Sequence, residues 1–140
     1  MSSLEKAINI ATKAHAGQID KAGKPYILHP LRVMFRVQTE VEMIVAVMHD
    51  VIEDSNFELG DLEKLGFSNE VMEAINCLTK RRGECYENFI LRILENDLAA
   101  RIKIEDIKDN LDLTRLHIVT HKDLQRVEKY HRALRVLTNP

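Results

Sequence analysis

The sequence predicts an all-α fold: a compact single-domain bundle of about seven or eight helices over residues 1–140. Three observations predict it. Apolar residues recur at helical spacing almost throughout, and β-branched alternation over a strand length is missing. Only five Gly and three Pro interrupt 140 residues. The stretch from Met43 to Met48 is an unbroken apolar run, so a helix through it is apolar all round and belongs at the centre of a bundle.

Ser2 or Ser3 caps a first helix running to about His15, with Leu4, Ala7, Ile8, Ala11 and Ala14 or His15 facing inward and Gly17 as its stop. Gln18 to Leu28 reads as a loop, because Gly23 and Pro25 interrupt any helix. His29-Pro30 opens a second helix over 31–37, since proline suits a first turn whose N–H groups have no helical partner. A turn at Gln38-Thr39 leads into the central helix, 40–53. Further helices follow over 59–65, 70–79, 84–94, 98–111 and 122–137. Lys80-Arg81-Arg82-Gly83 reads as a solvated basic turn.

Charge and composition exclude some functions. A formal charge of −2 and a pI near 6.3 argue against a general nucleic-acid binder, although a small-nucleotide enzyme needs only a local basic pocket. The N-terminal residues lack a hydrophobic signal core and no apolar run approaches membrane-spanning length, so the expectation is a soluble cytoplasmic protein without a membrane partner. Cys77 and Cys85 lack metal-type spacing and read as reduced thiols. Oligomeric state leaves no trace in the sequence.

The central helix ends in four polar groups: His49, Asp50, Glu53 and Asp54. With His49 at zero, the others fall at about 100°, 40° and 140°, within one arc. Three carboxylates and an imidazole at the end of a buried helix repel one another unless something positive sits among them, and a divalent cation is an economical answer. A surface helix end rich in acid is the alternative. Asp106 stands on the inward stripe of the 98–111 helix where an apolar residue is expected, with Asn110 one turn on. It needs a partner: a metal shared with the first cluster, or neighbouring backbone. Asp109 and Asp112 are expected in solvent. His29, held extended before Pro30, is placed either for a ligand or as a capping or core residue. His15 faces inward near the site, whereas His117, His121 and His131 read as surface or structural. Arg115, shortly after Asn110, reaches either a phosphate or a surface ion pair.

Taken in order, Ala14-His15-Ala16-Gly17-Gln18, Gly23-Lys24-Pro25-Tyr26-Ile27-Leu28-His29-Pro30, His49-Asp50-Val51-Ile52-Glu53-Asp54 and Lys103-Ile104-Glu105-Asp106 with Asn110 resemble the HD-domain hydrolases of the RelA/SpoT type. The resemblance covers about residues 4–115 and has no counterpart of the synthetase domain of the long members. It implies an HD-type helical domain and a guanosine 3′,5′-bispyrophosphate 3′-pyrophosphohydrolase-like activity. His29, His49, Asp50 and Asp106 would bind one divalent metal, typically manganese; the mixed nitrogen and oxygen donors also suit iron or zinc. Glu53 and Asp54 would act on the attacking water. Lys21 and Asn110 match positions that contact nucleotide, and Tyr26, Asp20 and Arg115 are assigned to substrate binding with them.

One departure stands out. Asp20 occupies the position where the similar enzymes usually carry an arginine that packs on the purine. A carboxylate cannot stack as a planar cation, though it can accept hydrogen bonds from a base or a sugar. The alternatives are therefore an HD-domain phosphohydrolase for another nucleotide or a phosphomonoester, or a non-catalytic nucleotide-binding regulator.

Overall fold

Helix α3 (Glu40–Met48) is the axis of the molecule, seen in a computed structural model that describes residues 1–139. Thr39 starts it with a capping box: its side chain accepts from the Glu42 N–H, and Glu42 reaches back to the Thr39 N–H. Ile44, Val45, Ala46, Val47 and Met48 are all buried, as a helix apolar on every side must be. Each large member contributes about 1.5–3 kcal/mol by leaving water. Ala46 has no exposed surface, and a larger side chain there would overpack the centre at a cost of about 1–3 kcal/mol.

Around α3 pack α1 (Ser3–Ala14), α2 (Leu28–Phe35), α6 (Asn69–Leu78) and α8 (Asp97–Leu111). The short α4 (Val51–Asp54) follows α3, and α5 (Leu59–Lys64) lies against α6. Helix α7 (Tyr86–Ile93) and the C-terminal α9 (His121–Thr138) close over α8, with a 3₁₀ turn at Leu113–Arg115 between α8 and α9. Counting the broken α3–α4 unit once leaves eight α-helices among the described residues, in line with the sequence-based expectation. The sole extended pairing among them is a bridge between Ile19 and Pro25.

Two elements differ from the sequence-based expectation. The second helix starts at Leu28, so His29 and Pro30 lie inside its first turn; proline is tolerated there because the first four N–H groups lack helical acceptors. The central helix does not run unbroken to Glu53. At His49 the imidazole Nδ1 takes the Ala46 carbonyl at 2.6 Å, and Asp50 sits at φ −103°, ψ 0° before α4 resumes. A side chain bonding to a carbonyl three residues back competes with the helical ladder and bends it there.

The loop between α1 and α2 folds on itself. Asp20 Oδ1 accepts the N–H groups of Ala22 and Lys24, each at 2.9 Å, and Gly23 supplies the positive φ of 78° that the turn requires.

Candidate metal centre and adjoining cleft

Four side chains from three helices meet where α3 breaks. His29 comes from the first turn of α2, His49 and Asp50 from the α3–α4 junction, and Asp106 from the middle of α8. His29 Nε2 lies 2.8 Å from Asp106 Oδ1 and 3.8 Å from Asp50 Oδ2. His49 Nε2 lies 3.1 Å from Asp50 Oδ2 and 3.3 Å from Asp106 Oδ1. Ligand atoms of His29, His49 and Asp50 all fall within 4.8 Å of one another, forming a triad able to hold a divalent cation.

Both imidazoles are oriented from behind. His29 Nδ1 is 2.6 Å from Asp109 Oδ2, and His49 Nδ1 is 2.6 Å from the Ala46 carbonyl. Those acceptors take the Nδ1 protons and turn each Nε2 toward the cluster, where it faces the carboxylates as a proton donor and would offer its lone pair to a metal in place of that proton. His49 Nε2 is buried and makes no hydrogen bond. An orphaned buried nitrogen among carboxylates is costly in a protein interior, and a cation that accepts its lone pair removes that cost. The donor set thus fits a divalent metal.

The electrostatics agree. Burial opposes charge on His49, yet Asp50 and Asp106 raise its pKa well above the ordinary value. Burial likewise opposes charge on His29, and the bonds to Asp106 and Asp109 overcome it. Burial raises Asp50 and Asp106, but His49 pulls Asp50 below the usual carboxylate range, and Lys103 followed by His49 does so for Asp106. The cluster draws positive charge from whatever can supply it.

Asp50 Oδ2 also accepts the Tyr26 hydroxyl at 2.5 Å. Asp106 receives Lys103 Nζ on Oδ2 at 2.8 Å and Asn110 Nδ2 on Oδ1 at 3.2 Å. Tyr26 and Asn110 thus share the carboxylate oxygens that face the imidazoles, whereas Lys103 holds the Asp106 oxygen turned away from them.

Glu53 and Asp54 stand on α4, one turn past the break. Glu53 Oε1 accepts the backbone N–H of Lys80 at 2.5 Å, so the basic turn approaches the centre through its main chain. Burial raises the Asp54 carboxyl to about 6, with Asp50 and Glu53 adding to the effect. Gln18 Nε2 donates to the Asp54 carbonyl at 2.7 Å, and its amide oxygen pairs with His15 Nδ1 at 2.8 Å. His15 is buried against Tyr26, with ring centroids 4.9 Å apart. The His-x-x-Gln spacing thereby ties the end of α1 to α4.

Beside the cluster opens a cleft of about 360 Å³. Asp20, Lys21, Tyr26, Asn110 and Arg115, the residues expected at substrate, all line it, together with His29. One oxygen of Asp20 is taken up by its own turn, and Arg115 pairs with Asp112 at 3.2 Å and Asp109 at 3.4 Å.

One expectation is overturned. Asp109 is not in solvent but fully buried, between α8 and α2. Its carboxylate receives His29 Nδ1, Arg32 Nε at 2.9 Å, Arg36 at 3.2 Å and Arg115. Helical angle alone put it at the edge of the inward stripe, whereas arginines at 32 and 36, one turn apart on α2, draw it inward. Sequence reading also missed Arg126 and Tyr130 of α9, which wall the cleft from outside the motif-bearing region.

No family model matches the chain. Over 82 residues it is 37% identical to a guanosine-3′,5′-bis(diphosphate) 3′-pyrophosphohydrolase of Borreliella burgdorferi, covering 56% of this chain and 12% of that protein. A protein of the same description from Aquifex aeolicus is 27% identical over 120 residues, 77% of this chain and 17% of the relative. The bifunctional (p)ppGpp synthase/hydrolase SpoT of Escherichia coli is 28% identical over 123 residues, again 77% and 17%. The chain thus spans only a small part of the length of the curated relatives it matches. The solved structure described as "a metazoan ortholog of SpoT hydrolyzes ppGpp and plays a role in starvation responses" aligns with a TM-score of 0.80 at 22% identity, covering 99% of this chain and 86% of that one. In sequence the chain is similar to part of these (p)ppGpp hydrolases and synthase/hydrolases, and in fold to the solved SpoT ortholog.

Proposed function

We propose that the chain is a metal-dependent phosphohydrolase that releases pyrophosphate from guanosine 3′,5′-bispyrophosphate. The observation that carries this reading is the convergence of His29, His49 and Asp50 ligand atoms within 4.8 Å, with His49 Nε2 buried and unpaired. Asp106 is the fourth ligand, and manganese is the ion, with iron or zinc also compatible with the donors. When bound, the divalent ion acidifies a water and polarises a phosphoryl oxygen.

The chain's own groups supply the rest. Asp54, raised to about 6, and Glu53, also raised by burial, have the basicity to take a proton from the attacking water near neutral pH and are assigned that role. Tyr26 holds the Asp50 oxygen that faces both imidazoles, and Lys103 holds the outer oxygen of Asp106, so each carboxylate keeps one orientation. Lys21, Asn110 and Arg115 hold the nucleotide in the cleft, and a cation there stabilises charge on the departing phosphate.

The test is to incubate the full chain with Mn²⁺ and guanosine 3′,5′-bispyrophosphate and follow pyrophosphate release, with Glu53→Gln as control. Turnover by the parent, reduced about 10²-fold or more in the variant with metal content unchanged, is the expected result. A metal-loaded parent with no turnover would overturn the substrate assignment. Asp20 favours a second reading in that case, hydrolysis of another nucleotide, because its carboxylate closes a turn and offers no planar cation to a purine. A nucleotide panel with phosphate and pyrophosphate measured separately distinguishes the two.

A further inference from the structure

Glu53 is held at a single point. Its Oε1 accepts the Lys80 N–H at 2.5 Å, and the carboxylate makes no other hydrogen bond among the described residues. Burial raises the Glu53 carboxyl, and the Lys80 N–H acts against that rise. How firmly the group keeps its orientation therefore depends on how firmly one peptide unit, Thr79–Lys80, is fixed.

That peptide lies just past α6, where Thr79 has left helical geometry at φ −96°, ψ 112°. Among the described residues no backbone N–H reaches the Thr79 carbonyl, and two arginines take it instead. Arg92 Nη2 donates to it at 3.0 Å and Arg81 Nη1 at 2.9 Å. In a trans peptide the C=O and the N–H point in opposite directions across one rigid plane. Guanidinium groups on the Thr79 oxygen thus fix the line along which the Lys80 N–H meets Glu53. They also polarise the peptide, which strengthens that N–H as a donor.

Arg92 is itself immobilised. It comes from α7, and its Cζ lies 5.5 Å from the ring centroid of the buried Phe89. Its Nη1 donates to the Cys77 carbonyl at 3.1 Å, and Nε and Nη2 grip the two oxygens of Glu84 at 2.9 and 3.0 Å. A forked guanidinium–carboxylate pair fixes direction as well as distance. Glu84 Oε1 also accepts the Arg81 N–H at 3.0 Å, so one bracket spans the whole turn between α6 and α7. Arg92 draws the Glu84 carboxyl down to about 2, and the bracket stays ionised through the neutral range.

We propose that Arg92 is a positioning residue that, through the Thr79–Lys80 peptide, holds the Glu53 carboxylate in its working orientation. The catalytic consequence rests on the phosphohydrolase reading, in which Glu53 serves the attacking water; the mechanical link between Arg92 and Glu53 does not.

The experiment measures hydrogen exchange of the Lys80 amide by ¹H–¹⁵N NMR on the full chain, beside pyrophosphate release from guanosine 3′,5′-bispyrophosphate with Mn²⁺. Arg92→Met removes the bracket. Arg81→Met removes the second donor to Thr79 while leaving the Arg92–Glu84 pair intact, and it carries the test should Arg92→Met unfold. Arg132→Met, from an exposed pair with Glu128 on α9, is the control. Protection of the Lys80 amide should fall about tenfold in Arg92→Met, less in Arg81→Met and not at all in Arg132→Met. In Arg92→Met kcat should fall about 10- to 100-fold with KM within about twofold of the parent. Combined with Glu53→Gln, Arg92→Met should cost less than about twofold more, because the group it orients has already lost its role. Lys80 exchange unchanged in both arginine variants, a loss carried by KM alone, or the same loss with and without Glu53→Gln would each overturn the proposal. Lys80 protection that depends on Arg92 in a metal-loaded chain without turnover would uphold the link and sink the hydrolase reading. Turnover indifferent to both arginines would overturn the positioning role and leave that reading standing.

Discussion

Asp109→Asn removes one charge at constant shape from the most enclosed carboxylate in the molecule. Asp109 has no exposed surface, and four donors converge on it: His29 Nδ1 at 2.6 Å, Arg32 at 2.9 Å, Arg36 at 3.2 Å and Arg115 at 3.4 Å. An amide can accept on one oxygen only and presents an NH₂ to at least one former donor. Breaking a fully buried ion pair costs about 3–5 kcal/mol. Here the three arginine side chains are 28–32% exposed, so they can turn toward water, and the expected loss falls to about 2–3 kcal/mol. For a chain of 140 residues that is a drop in Tm of roughly 6–12 °C. A second effect is specific to the site. Without the carboxylate, His29 loses the acceptor that holds its proton on Nδ1, and metal affinity should fall about 10–100-fold. Thermal melts with chelator present isolate the first effect, and metal titration of the folded variant at lower temperature isolates the second. If Asp109→Asn melts like the parent and binds Mn²⁺ within about twofold of it, the carboxylate supports neither the fold nor His29.

Two further outcomes are open to measurement. The Asp54 carboxyl is raised to about 6 by burial, by Asp50 and by Glu53, so in metal-free protein its neutral form favours the fold below the ordinary carboxylate range, and that contribution is lost as pH rises through about 6. Asp54→Asn should therefore raise the Tm of chelated protein at pH 8 and leave it nearly unchanged at pH 4; equal shifts at both would contradict the assignment. Chelation itself should lower the Tm of the parent, because a ligand bound to the native state alone adds about 2.7 kcal/mol at a hundredfold excess over Kd. A melting curve indifferent to chelator and to added Mn²⁺ would argue that His49 Nε2 meets no ion.

Much of this molecule is written in local pattern. The apolar run ending at Met48 and the capping Thr39 determine a central buried helix, because both signals act within one or two turns. His49, Asp50, Glu53 and Asp54 are legible as a cluster for the same reason, and the aspartate on the inner face of α8 advertises its need for a partner. Only the tertiary structure decided which partners meet. Asp109 sits 80 residues from His29 in sequence, and nothing local shows that arginines on α2 would draw it inward. The break at His49 depends on a side chain winning a carbonyl from the helical ladder, a competition that helical periodicity does not register. Part of the cleft wall comes from Arg126 and Tyr130 of α9, which nothing in the local pattern of that helix marks as close to the centre. Short-range propensity and spacing determine helices and the chemistry along one face; long-range packing decides which charges meet and which are buried.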